Sequence, residues 1–381
     1  MNEPYPRFSE AEMERRHAAV AAVMSERGVE HLLVYGANRF GLGVGWLTRW
    51  PVTREAFVLV TPGERDVLIV DFYNHVPNAR RTATEADVRA CEGRGVELPL
   101  AELRRRGAAG RRIGVIGPLP WRQAAGLQDL PAELVGLDAD FARLRLVKSA
   151  EELDWLRVGC ELTDRAVAAL RAGARPGLDE RELGALVENA YLARGGTTHI
   201  HYFATTPMDR PGVAVPAQWP SSRALAAGDA VVCEISASWW DYPGQVLRTF
   251  AVEAEPTALY RELHDVAEAA FEAVAARLRG GATAAELVDA AGVIEDAGFT
   301  IRDDLLHGFV GGYLPPVLGT RSRMLDEVPE FTFAPGMTVV VQPNVVTPDE
   351  SAGVQTGELL LVTEDGFEPL HAVERGLLPT G

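Results

Sequence analysis

A chain of 381 residues exceeds the size at which a single hydrophobic core stops growing, about 250–300 residues, so two domains are expected. A net charge of −17, with no basic run longer than the three arginines at 104–106 and a pair at 111–112 close by, argues against a surface built to neutralise a phosphate backbone, and no nucleic-acid partner is expected. No run of about 18 uncharged apolar residues occurs, the N-terminus has no apolar signal core, and Cys91, Cys160 and Cys233 show no CxxC spacing, so a cytoplasmic protein without membrane span, disulfide framework or zinc knuckle is expected.

Ser9-Glu10-Ala11-Glu12 is a capping-box pattern that predicts a helix to about residue 27. Apolar runs at 31–35, 56–61, 67–72 and 113–116, punctuated by Thr61-Pro62-Gly63 and Gly117-Pro118, predict strands. This alternation reads as a small α/β domain over residues 1–147. The pattern changes over 143–152, where Ser149 can cap a new helix. Beyond it Leu153, Leu156, Cys160, Val167 and Leu170 recur near 3.6 spacing and predict a helix over 151–172. Further helices are predicted over 179–193, 260–277 and 283–297, the last opened by Thr283-Ala284-Ala285-Glu286. Strand-like runs at 198–205, 230–236 and 246–254 lie between the helix pairs, and 337–342 and 359–363 follow them. Helix pair, antiparallel strands, helix pair, antiparallel strands describes an α+β domain over 148–381 whose two halves face a substrate cleft. Gly41-Leu42-Gly43-Val44-Gly45 does not follow a strand and open a helix in the dinucleotide-binding manner, so no nucleotide is expected.

Residues 228–250 keep the frame Gly228-Asp229, an apolar strand, and Arg248-Thr249-Phe250. This frame resembles the metal-binding hairpin of the creatinase, aminopeptidase P and prolidase family. His307-Gly308 with Tyr313-Leu314-Pro315-Pro316, Pro335-Gly336-Met337 ahead of Gln342-Pro343, and Gly353-Val354 ahead of Gly357-Glu358 resemble its later motifs in order and register. The resemblance covers the whole chain. It implies a pita-bread C-terminal domain behind a creatinase-like α/β N-terminal domain. Similar proteins hold two Mn, Zn or Co ions on two Asp, one His and two Glu. Here those five positions read Glu234, Gln245, His307, Gln342 and Gly357, and the substrate-binding histidine of the family falls at Ala217. Two amides and a glycine do not offset the charge of two divalent ions, so no metal and no cofactor are expected.

Creatinase, the metal-free member of this fold, makes side-chain acid/base chemistry plausible, although its catalytic histidine falls at Ala217 and its neighbouring glutamate at Leu247. The expected catalytic groups are Glu234 and His307, approaching as a pair in which the carboxylate raises the imidazole's pKa and burial raises the carboxyl's. Gln245 and Gln342 would orient a polar substrate. His199 and His201, two apart on a strand, are expected on one face, where one either binds substrate or is a satisfied core histidine. Tyr242 and Tyr313 are candidates for substrate contact or packing. Glu358 could replace the missing glutamate by a one-residue slip. In the first domain Arg39 and Arg49 lie where the resemblance places a loop reaching a neighbouring subunit's cleft, which implies a homodimer; either arginine could clamp a substrate carboxylate, and His75 could serve the same purpose. The resulting expectation is a metal-independent, creatinase-like enzyme that cleaves a C–N bond in a small, polar, nitrogen-containing metabolite by hydrolysis or elimination. The alternatives are an Xaa-Pro-type aminopeptidase or dipeptidase with one metal ion, and a non-catalytic peptide-binding module.

Overall fold

The computed structural model describes residues 5–38, 40–324 and 327–381, which fall into two compact units, residues 1–145 and 146–381. The first unit is built on a six-stranded mixed sheet of β1 (His31–Ala37), β2 (Glu55–Val60), β3 (Val67–Val70), β4 (Asp87–Ala90), β5 (Arg112–Ile116) and β6 (Glu133–Gly136), in the order β4-β3-β2-β1-β5-β6. Its central strands are apolar at nearly every position because both faces are covered. Leu32, Val34, Val58 and Leu68 point into one core, and Leu33, Phe57, Leu59 and Ile69 into the other. The helix Glu10–Glu26 opens with Ser9 Oγ accepting from the Glu12 amide, as the capping pattern predicts.

In the second unit the helix Ala150–Gly173 starts at a complete capping box of Ser149 and Glu152, and Glu180–Asn189 at one of Asp179 and Glu182. Ala258–Ala275 is capped by Thr257. The helix predicted over 283–297 is two pieces, Ala284–Ala290 and Val293–Asp296, with Gly292 at the break. These helices cover one face of a ten-stranded sheet. Its strands are β7 (Thr197–Pro207), β8 (Asp229–Trp239), β9 (Tyr242–Pro243), β10 (Val246–Ala251), then, after β11 (Thr300–Ile301), β12 (Leu306–Phe309), β13 (Tyr313–Leu318) and β14 (Thr338–Val341). After β15 (Val345–Val346), which pairs only with β11, come β16 (Gly357–Val362), β17 (Phe367–Pro369) and β18 (Leu378–Pro379). The main path runs β13-β12-β14-β16-β10-β8-β7. The β12–β13 hairpin is an addition to the strands expected from the sequence.

The pleat sorts these strands into two faces. Val231, Cys233, Ile235 and Ala237 of β8, with Val246 and Phe250 of β10, pack under the first helix pair. Leu306, Val339, Val341, Leu360 and Val362 pack under the second. The residues between them in sequence face the other way, and that side carries the polar site. Among the described residues no helix is long and apolar enough to cross a membrane.

Candidate active site

Cross-strand register brings the five singled-out positions onto neighbouring strands. Glu234 lies opposite Leu247, two residues beyond Gln245, and Leu247 lies opposite Gly357. His307 pairs with Val340, and Gln342 follows β14 directly. Glu234 is 6% exposed, and Gln245, His307 and Gln342 are fully buried. Gln245 Nε2 donates to Glu234 Oε1 at 2.6 Å and to Gln342 Oε1 at 3.4 Å. Gln342 Nε2 in turn donates to Asp304 Oδ1 at 3.1 Å, which also accepts from the Tyr313 hydroxyl at 3.0 Å. Tyr313 lies flat on His307, ring centroids 3.8 Å apart, with Phe309 edge-on to the imidazole at 5.5 Å. Behind the network, Gln245 N–H donates to His371 Nε2 at 3.2 Å, and His371 Nδ1 meets Asp164 Oδ1 at 2.6 Å. The sheet backbone at Gln245 is thereby tied to the helix Ala150–Gly173.

Desolvation dominates the electrostatics. Burial, with the charge of Asp303 nearby, pushes the Glu234 carboxyl up to about 8. Burial and Asp303 push Asp304 up to about 8 as well. Burial holds the His307 imidazole down to about 4, so it is neutral at physiological pH. The expected rise of the histidine's pKa is therefore corrected: its desolvation outweighs any neighbouring carboxylate. The expected direct pairing is corrected too. Glu234 reaches Gln245 rather than His307, and His307 Nδ1 is bonded to the Gly308 carbonyl at 3.1 Å.

Several other expected residues lie elsewhere. A bulge between Thr198 and Ile200 breaks the alternation of β7, so His199 and His201 do not share a face. His199 turns its ring to Phe309 at 5.8 Å, on the His307 side. His201 packs on Tyr191 among the helices, where burial lowers it to about 4. Tyr242 is a packing residue, its hydroxyl on Glu152 at 3.0 Å and its ring edge-on to Trp155. Glu358 is on the helix-covered face, bonded to Arg248 Nη2 at 2.6 Å, because a shift of one residue reverses the side chain's direction. Arg49 is no free clamp: its guanidinium is engaged by Glu85 at 2.8 Å and by the Phe8 carbonyl. His75 packs in the first unit against Trp50 and Phe72, with Thr53 Oγ1 at 3.3 Å. Arg39 lies outside the described residues.

Sequence reading missed Asp304, which joins Gln342 to Tyr313. The available signal was the acid pair Asp303-Asp304 just before the strand that carries His307. It also missed why Gly357 is glycine: a Cβ there would sit 2.4 Å from the Val341 carbonyl oxygen and 2.7 Å from Gln342 Cα. No side chain fits between these backbones as they stand. Among the described residues no group of three or more His, Cys, Asp or Glu side chains is placed to hold a metal ion.

The pattern of metallopeptidase family M24 matches residues 154–364, more than half of the chain, and the protein belongs to that family. Its second unit is the family's pita-bread domain and its first an N-terminal α/β domain. The chain is 26% identical over 272 residues to the Xaa-Pro dipeptidase of Pyrococcus furiosus, a match covering 70% of this chain and 75% of that one. Among solved structures it resembles the Xaa-Pro dipeptidase from Bacillus anthracis, with a TM-score of 0.82, 20% identity and coverage of 96% and 99%. It equally resembles dipeptidase PepE from Mycobacterium ulcerans, with a TM-score of 0.82, 22% identity and coverage of 98% and 100%.

Proposed function

We propose that this protein is an M24 hydrolase that cleaves a C–N bond in a small nitrogen-containing substrate by side-chain acid/base chemistry, with Glu234 as acid and His307 as base. The observation that carries the reading is the donor set. The five positions that the family resemblance links to a dinuclear centre offer one carboxyl, one imidazole, two neutral amides and a glycine with no room for a side chain. These residues do not fit a pair of divalent ions, whose charge needs anionic oxygen ligands.

What they do fit is proton transfer. With Nδ1–H directed at the Gly308 carbonyl, His307 Nε2 keeps its lone pair and can take a proton from an attacking water. Glu234, protonated at neutral pH, gives its proton to the departing nitrogen. The water oxygen bonds to carbon as the C–N bond breaks. The imidazolium forms as the glutamate becomes anionic, so the net charge of the buried site is unchanged; return of the proton from His307 to Glu234 resets it.

A second reading is favoured by the comparisons: relatives named Xaa-Pro dipeptidase and dipeptidase support a peptide substrate, with one metal ion supplying the electrophile. Both readings are tested by assaying chelator-treated protein on a panel of Xaa-Pro dipeptides and small amides, with and without Mn, Zn or Co. The acid/base reading expects turnover that chelation leaves intact and that falls by about 10²–10⁴ in Glu234→Gln. Dipeptide hydrolysis appearing only on metal addition would replace it with the second reading.

A further inference from the structure

The arginine run at residues 104–106 acquires a place in the first unit. Arg105 and Arg106, at the end of the helix Glu97–Arg105, line a cleft of about 520 Å³ together with Arg65, Arg80 and Arg89. Three carboxylates answer these five guanidiniums. Buried Glu102 binds Arg105 at 2.6 Å, Arg106 at 2.8 Å and Arg89 at 2.9 Å. Asp87 holds Arg89 at 2.6 Å, and Glu64 meets Arg105 at 3.3 Å and Arg106 at 3.5 Å. Among the described residues Arg65 and Arg80 meet no carboxylate. Arg65 donates to the backbone carbonyls of Thr84, Glu85 and Ala86, at 2.8, 3.0 and 3.3 Å, and Arg80 to that of Val88 at 3.5 Å. Asp66, next to Arg65 in sequence, is engaged by His17 at 2.9 Å, and Glu85 by Arg49 at 2.8 Å. Five guanidiniums against three carboxylates leave two positive charges uncompensated, in a recess of a chain whose net charge is −17. Like charges gathered in one concavity repel one another and draw an anion to it.

We infer that this cleft binds a phosphate monoester, a small organic molecule carrying a dianionic phosphoryl group, with Arg65 and Arg80 as its principal donors. Both retain N–H groups to give: Arg65 Nη1, and Arg80 Nε and Nη1, meet no acceptor among the described residues. The planar fork of a guanidinium matches phosphoryl oxygens two at a time. A phosphoryl ester carries about −1.5 to −2 at pH 7, which matches the surplus, whereas a carboxylate supplies a single charge. The cleft's volume falls in the range of small-molecule sites, roughly 300–1,000 Å³, so a carbon skeleton has room beside the phosphoryl group. Val67, Ala83, Ala86 and Val88 give that skeleton an apolar wall. A cationic ligand would face five guanidiniums, and a nucleic acid needs a long basic track rather than one recess. The cleft shares no residue with the candidate active site, so the inference stands apart from the hydrolase reading.

Calorimetric titration of the full-length protein in phosphate-free buffer tests it, with phenyl phosphate, inorganic phosphate and benzoate as probes. Phenyl phosphate should bind one to one and about tenfold more tightly than either of the others, because it alone supplies both the dianion and an apolar body. Arg65→Gln and Arg80→Gln should each weaken that binding about tenfold by removing a charge-assisted contact. Arg80 is exposed and makes one long hydrogen bond, so Arg80→Gln decides the matter alone if Arg65→Gln does not fold. Arg104→Gln removes the same charge from an exposed arginine outside the lining and should leave the affinity unchanged. The inference is overturned by absence of saturable phenyl phosphate binding, by benzoate or inorganic phosphate binding as tightly, or by unchanged affinity in folded Arg80→Gln. An equal loss in Arg104→Gln would overturn it as well, since it would mark attraction to the protein's general field rather than to this cleft.

Discussion

Glu234, Asp304 and His307 share one burial but answer it in opposite senses, and stability should register this as pH changes. The carboxyls titrate at about 8 in the fold against ordinary values of 4.5 and 3.8, so their contribution is complete below those ordinary values and is lost as pH rises through about 8. His307 titrates at about 4 against 6.5, so its contribution is present above 6.5 and lost as pH falls through about 4. Of these three groups, only the carboxyls still change above 6.5, so their share of the pH dependence is isolated by comparing variant with wild type. Thermal denaturation midpoints should therefore fall as pH rises from 6.5 past 8, and the fall should be shallower in Glu234→Gln; identical slopes in variant and wild type would contradict the electrostatics described here. Turnover gives a second check. If Glu234 and His307 act as a unit, Glu234→Gln combined with His307→Asn should be scarcely slower than either alone.

Along β10 the pleat separates chemistry from support. Gln245 and Leu247 face the site, and Arg248 faces the helices, where it holds Glu358 and the Gly357 carbonyl. Removing one member of this buried ion pair strands the other, so Arg248→Met or Glu358→Gln should lower unfolding stability by about 3–5 kcal/mol, and the double variant by less than the sum. Denaturant titrations measure both. Such elements were legible in sequence where a cap or a short apolar run marked them: Ser149 with Glu152 announces the helix Ala150–Gly173, and strand-like runs at 230–236 and 246–254 announce β8 and β10. The site was legible as a set of positions, because Gly228-Asp229 and Arg248-Thr249-Phe250 fix the register. Its wiring was not. The bulge in β7 that parts His199 from His201 has no sequence mark, and the reach of Asp304 to Gln342 depends on how a loop closes over β12.

At the scale of the molecule, each unit carries its own cores, as a chain of this length requires. In the first unit Phe40, Tyr73 and Trp121 follow the ends of β1, β3 and β5, which run in the same direction, and each is more than two-thirds exposed. Aromatic side chains gathered at one end of a sheet suit a self-association surface. Light scattering is expected to give twice the 41.2 kDa of one chain, and a mass of one chain across a wide concentration range would count against the homodimer. Gly357 sets a different limit, on what could be engineered here. Gln245→Asp and Gln342→Glu would return two carboxylates on paper, but the remaining position is closed by backbone rather than by the choice of residue. Seating a side chain at position 357 therefore requires strands β14 and β16 to move apart, whatever residues the other four positions carry.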